Sequence, residues 1–293
     1  MRVGVVILPD QRWVDAERLW CEAEDLGFSH AWTYDHLTWR TLRDGPWFGA
    51  VPTLAAAAVA TSTIRLGTLV ASPNFRHPVT FAKELMTLDD ISSGRITLGI
   101  GSGGLGWDAT ALGQDLWSAG ERTARFIEFV EQLDLLLTEP IIDSLSGEFY
   151  SARDARAIPG CIQQPRLPFA IAAGGEKGMA LSVKFGQTWV TNGDPKKSLD
   201  NDEISALSAV KIQLKKLEAE CLTQNREFDS LSKLYLAGSS GEPWLASISD
   251  FHRLSEKYEA LGFTDVVIHR PRENEPFKAD LNVYYEIAKL NQR

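Results

Sequence analysis

Apolar positions along the chain keep two rhythms in turn. Mostly apolar runs at residues 3–9, 30–35, 64–71, 96–100, 169–173, 188–192, 233–237 and 265–268 have the length and continuity of strands covered on both faces. Between them apolar residues recur at helical spacing, which predicts helices at 15–26, 54–60, 123–137, 205–221, 248–260 and 281–290, with two more around Met179 and around Phe81, Leu85, Leu88 and Ile91. Gly27 stops the first helix, and Asp90-Ile91-Ser92-Ser93-Gly94 ends the one that carries Phe81. Strands alternating with helices select a parallel sheet. About eight such pairs in 293 residues predict an α/β protein with one domain over residues 1–293, a (β/α)8 TIM barrel.

Two stretches break the alternation. Residues 139–168 are rich in proline, glycine, serine and charge, with only Glu148-Phe149-Tyr150 strand-like, and they read as an insertion before the fifth strand. Residues 193–202, GDPKKSLDND, are polar and expected to be mobile. Long loops on a rigid barrel are usually lids or disordered segments.

Composition narrows the function. At 44% hydrophobic and 24% charged the chain can bury a large core, and a net charge of −9 repels phosphate backbones, so a small-molecule substrate is expected and nucleic acid is not. Cys21, Cys161 and Cys221 are widely spaced, without a CxxC pair, so neither a disulfide framework nor a zinc site is expected. No apolar run reaches the roughly 20 residues of a membrane span, and the first strand opens at residue 3 without a charged leader. A cytoplasmic protein with no membrane partner is expected.

The stretch from Gly67 to Gly104, GTLVASPNFRHPVTFAKELMTLDDISSGRITLGIGSGG, concentrates the chemistry. It is a βαβ unit whose first strand closes on Ser72-Pro73-Asn74 and whose second opens into Gly101, Ser102, Gly103 and Gly104. The wording Leu88-Asp89-x-x-Ser92-x-Gly94-Arg95, followed by an apolar strand and GxGxG, closely resembles the bacterial-luciferase-like oxidoreductases. Upstream, the strand ending in Thr33-Tyr34-Asp35-His36-Leu37 sets an acid and a histidine at the barrel mouth, where a histidine can give or take a proton near neutral pH. An Asp-His at this strand end resembles the branch that uses the deazaflavin coenzyme F420. The resemblance covers nearly the whole chain, clearly to about residue 193 and weakly beyond.

That resemblance implies hydride transfer between the deazaflavin C5 and a small organic substrate, and a homodimer; the tryptophan-rich loops suggest an apolar or cyclic substrate, with imine or enone reduction in secondary metabolism as the expected form. It implies a catalytic place for His36 with Trp39 beside it, and coenzyme contacts from Asp35, Leu69, Val70, Ser102, Gly103, Ala173, Gly174, Gly175 and Asn192. Leu69-Val70 matches the place where the family often has a non-proline cis peptide. Many relatives carry an acid soon after the glycine turn as proton donor, whereas here Gly104 stands in that place and the nearest acid is Asp108.

Other features have two readings each. Trp39, Trp47 and Phe48 would wall the substrate pocket or pack the loop. Gly101-Ser102-Gly103-Gly104-Leu105-Gly106 matches GxGxxG, but WDATALGQ behind it does not open the long helix of a dinucleotide site. Ala172-Ala173-Gly174-Gly175 before a helix would let backbone N–H groups reach a phosphate, or would serve a turn that needs positive φ. Arg270, Arg272, Lys196 and Lys197 follow strands and would face an anionic substrate or the coenzyme's acidic tail, Arg270 first among them as a substrate contact. His77 and His269 read as structural, and no metal site is expected. Two other functions share the same barrel: an FMN-dependent monooxygenase, with FMN replacing F420, and a non-catalytic flavin- or deazaflavin-binding protein.

Overall fold

The computed structural model describes residues 1–104, 107–194 and 203–290. Eight parallel strands close into a barrel: β1 (Arg2–Val6), β2 (His30–Thr33), β3 (Arg65–Ala71), β4 (Ile96–Gly101), β7 (Phe169–Ala172), β8 (Thr188–Thr191), β9 (Ser232–Leu236) and β10 (Asp265–His269). Their order around the wall is β1-β10-β9-β8-β7-β4-β3-β2, so each strand lies beside its predecessor in the barrel and the last pairs with the first. The expected TIM barrel is what forms. Helices α1 (Trp13–Asp25), α2 (Ala50–Ala60), α3 (Pro78–Ile91), α5 (Ala119–Thr138), α6 (Glu176–Phe185), α7 (Glu203–Thr223), α8 (Ile248–Glu259) and α9 (Leu281–Leu290) connect them, with a short α4 (Trp107–Ala111) after β4. Among the described residues no helix is long and apolar enough to cross a membrane.

Alternation along the strands sorts the core into two bodies. Outward residues such as Val5, Ala31, Leu66, Leu98, Ile171, Trp189 and Ile268 pack beneath the helices. Inward residues form a second cluster, with Val6, Trp32, Leu69, Ala170, Val190, Leu234 and Val267 each from a different strand. At the end where the strands begin, a polar plug closes the lumen. Asp265 accepts hydrogen bonds from Arg2 at 2.8 Å and from His30 Nε2 at 3.0 Å, and Trp32 Nε1 donates to His30 Nδ1 at 2.6 Å. Burial alone would raise the Asp265 carboxyl pKa, but these donors hold it well below the usual carboxylate range. Gly67 makes room for the plug, since a Cβ there would meet Thr97 O at 2.2 Å and the Trp32 ring at 2.6 Å. With that end filled, ligands can enter only where the strands end.

The insertion corrects one expectation. It carries two strands, β5 (Ile141–Ser146) and β6 (Ser151–Arg156), paired antiparallel, and Glu148-Phe149-Tyr150 belongs to the turn between them. The Glu128 carboxylate of α5 accepts the backbone N–H groups of Glu148, Phe149 and Tyr150, which sets that turn. Both strands are largely exposed. Ile142 is buried in the core with Leu145 and Ala155 packed against it, but these few apolar residues do not alternate along either strand, so no period reveals them. Leu105, Gly106 and the polar 193–202 segment beyond Asp194, with Lys196 and Lys197, lie outside the described residues.

Candidate active site

The end of β2 sends two neighbouring polar residues in opposite directions. Asp35 is 1% exposed, and both its oxygens are taken by Arg76, Oδ2 from Nε at 2.6 Å and Oδ1 from Nη2 at 2.8 Å. Arg76 also donates to Glu84 at 2.7 Å and lies 4.2 Å over the Phe81 ring. A buried carboxylate has to be paired, and here the pairing ties β2 to the start of α3. Asp35 therefore holds the strand end, and the coenzyme contact expected of it is not available. His36 turns toward α4 instead. Its Nδ1 lies 2.8 Å from Asp108 Oδ2, Asp108 Oδ1 accepts the Leu37 N–H at 2.7 Å, and Trp47 Nε1 donates to the His36 carbonyl at 2.9 Å. The His36 side chain is 23% exposed.

Rings fill this side of the mouth. Trp47, Trp39, Phe277 and His269 stack in a column, with centroids 5.9, 5.9 and 3.5 Å apart and interplanar angles of 16°, 23° and 7°. Tyr34 meets Trp39 edge-on at 5.1 Å, and its hydroxyl lies 2.6 Å from His269 Nε2. Burial pushes the His269 imidazole down to about 3, with a backbone hydrogen bond to Ala237 working the other way, so the ring is neutral and its Nε2 accepts a hydrogen bond from the Tyr34 hydroxyl. Trp39, 8% exposed, is held inside the column. His269, which reads as structural from sequence, is thus part of the wall beneath His36 and Trp39, together with Phe277, for which the sequence has no signal.

Arg270 departs from expectation. Val266 and Ile268 face the helices, so Arg270 continues outward and meets Glu22 of α1 at 3.1 and 3.2 Å. It does not face the lumen as a substrate contact. Arg272 pairs with Asp10 at 3.0 Å.

On the opposite side, from β3 to β8, side chains are small. The Leu69–Val70 peptide is cis, at the bond the sequence marked, and the β3–β4 register shifts between Thr68 and Ala71. Ser102 and Gly103 follow β4, and Gly103 has φ of 76° with its Cα against Asn74, whose Nδ2 a Cβ would approach to 2.2 Å. The buried Asn74 Oδ1 and Ser72 Oγ have no hydrogen-bond partner. The sequence marks both only as the turn that closes β3, not as site residues. Ala173 is half-buried, and Gly174 and Gly175 are exposed at the N-terminus of α6, where no side chain caps the helix. Neither glycine has positive φ. A Cβ at Gly174 would make only an ordinary contact with Gln213 at 3.6 Å, and one at Gly175 would meet nothing within 4 Å. The turn does not require glycine for its backbone, so what the missing side chains achieve is clearance over free helix N–H groups. Asn192 is half-buried and donates to Ser239 at 3.2 Å.

The arrangement is a barrel mouth with one cleared half, one aromatic half, and a histidine backed by a carboxylate at the edge. Several known proteins are similar to this chain. An F420-dependent glucose-6-phosphate dehydrogenase of Beutenbergia cavernae is 28% identical over 295 residues, covering 86% of each chain. Further curated relatives match over 45–49% of their own length. Among solved structures, the monooxygenase RslO1 of Streptomyces bottropensis superimposes with a TM-score of 0.66 at 25% identity, over 89% of this chain and 79% of that one. An F420-dependent secondary alcohol dehydrogenase in complex with an F420–acetone adduct gives a TM-score of 0.77 over 98% of both chains at 16% identity, a likeness of fold. The luciferase-like monooxygenase family matches residues 1–202, more than half the chain, and the protein belongs to that family.

Proposed function

We propose that this protein is an oxidoreductase that transfers a hydride between coenzyme F420 and a carbon of a small organic substrate. The observation that carries the reading is the division of the mouth: a cleared shelf along β3, β4 and β7 faces the same opening as a histidine whose Nε2 has no protein hydrogen bond among the described residues. The shelf suits a flat tricyclic coenzyme with a phosphate. Gly174 and Gly175 leave the α6 N–H groups open to the phosphate, Leu69 and Val70 offer an apolar rest for the ring, and Ser72 and Asn74 hold polar atoms that lack partners. When bound, the coenzyme supplies the carbon that accepts or gives the hydride. The protein's own share is to hold the substrate against the aromatic column, exclude water there, and place His36 to hold or move a proton.

A relative named for F420 dependence, similar over 86% of this chain, supports the choice of coenzyme. The second reading, an FMN-dependent monooxygenase, is favoured by the likeness to RslO1. Paired binding titrations separate the two. F420 is expected to bind with micromolar or better affinity and FMN at least about tenfold more weakly, a gap of about 1.4 kcal/mol. Equal or tighter FMN binding would replace this reading with the second. Tight F420 binding without turnover of any substrate would identify a coenzyme carrier.

A further inference from the structure

We propose that Asp108 is the positioning residue of this site: it holds His36 with Nδ1 protonated and Nε2 offered to the substrate, so that this pair moves the substrate's proton in place of a separate acid after the glycine turn. The role in turnover rests on the oxidoreductase reading, whereas the hold on the ring rests on geometry alone. A carboxylate only accepts hydrogen bonds. With Oδ1 occupied by the Leu37 N–H and Oδ2 at 2.8 Å from Nδ1, the Nδ1 atom must be the donor. The backbone bond to Leu37 fixes the carboxylate, and Trp47 anchors the His36 carbonyl, so the ring is set from both sides. Asp108 is buried on α4, which follows the turn where Gly104 stands with nothing within 4 Å of a would-be Cβ.

With an alcohol substrate, bound F420 would supply the hydride acceptor, and His36 Nε2 would take the hydroxyl proton, giving an imidazolium whose charge faces the Asp108 carboxylate. Reduction runs the same transfers backward. Among the described residues the other charged or titratable groups around the ring make their hydrogen bonds and ion pairs elsewhere: Asp35 with Arg76, which also holds Glu84, Tyr34 with His269, Arg43 with Asp44 and the Trp107 face, Arg40 with the Trp39 face. Among them Asp108 is the group hydrogen-bonded to the imidazole.

The test is nitrogen-15 NMR of the full chain labelled at its five histidines, with His36 assigned by loss of its signals in His36→Gln. The wild type should show His36 protonated at Nδ1 and bare at Nε2. In Asp108→Asn the amide turns a donor toward Nδ1, so the tautomer should reverse, leaving Nδ1 bare and Nε2 protonated. With F420 and substrate, the same variant should lower kcat about a hundredfold, while KM and F420 affinity change less than about threefold. Asp108→Glu, which keeps an acceptor-only carboxylate, should retain the wild-type tautomer. A wild-type ring bare at Nδ1, or an Asp108→Asn protein with unchanged tautomer, overturns the proposal whatever coenzyme is bound. Absence of F420 binding overturns the oxidoreductase reading and leaves the tautomer result to decide the role of Asp108.

Discussion

The two halves of the barrel mouth solve opposite problems with opposite side chains. From β2 through β1 to β10 the wall is built of rings, with Trp47, Trp39, Phe277 and His269 stacked and Tyr34 closing the corner through its bond to His269. From β3 to β7 the same level of the barrel holds Ser102, Gly103, Ala173, Gly174 and Gly175, and the helix behind it starts without a cap. The ring side is filled by its own packing and kept neutral by burial. The small side keeps its N–H groups and space for something that is not protein. A barrel of uniform wall could not do both, because a filled mouth leaves no shelf and an empty one leaves no surface to orient a substrate.

Three substitutions sharpen or break this contrast. His36→Ala, at the border, should have the largest effect, lowering turnover by about two to four orders of magnitude with little change in F420 affinity. Wild-type turnover would remove His36 from the chemistry. Tyr34→Phe, inside the ring half, leaves the buried His269 Nε2 without a donor and should cost about 1–3 kcal/mol of unfolding free energy, read by denaturant titration, again with F420 affinity unchanged. If stability holds and coenzyme binding fails, the ring half serves the coenzyme and the division drawn here is wrong. Gly174→Val should do the reverse, since φ at Gly174 is not positive and a Cβ there meets only Gln213 at 3.6 Å. Thermal stability should stay near wild type while F420 affinity falls at least tenfold, about 1.4 kcal/mol. Unfolding without a separable binding defect would make the turn merely structural.

Much of this site is legible along the chain because strand ends announce themselves. Thr33-Tyr34-Asp35-His36, Leu69-Val70, Gly101-Ser102-Gly103 and Ala173-Gly174-Gly175 all fall where apolar runs give way to polar or glycine residues, and all sit at the mouth. Asp35 misleads because its partner Arg76 is 41 residues away. Arg270 misleads for a simpler reason: two-residue alternation carried one step past Ile268 puts it outside the barrel, beside Glu22. The β5–β6 hairpin is silent because only Ile142, Leu145 and Ala155 of it reach the core, without a two-residue alternation.

By itself the sequence determined the alternation of strand and helix, and through it the parallel barrel and the end at which chemistry collects. Those follow from periods of two and of three to four residues, which are local and survive in any single stretch of chain. The pairings that turn a barrel mouth into a site were decided only by the tertiary structure. Asp108 reaches His36 across 72 residues, and His269 reaches Tyr34 across 235. Closing the barrel brings β10 beside β1, which lies beside β2, and brings the segment after β4 over the end of β2. No local pattern encodes which side chains then face each other, because that depends on the register and curvature of the closed sheet.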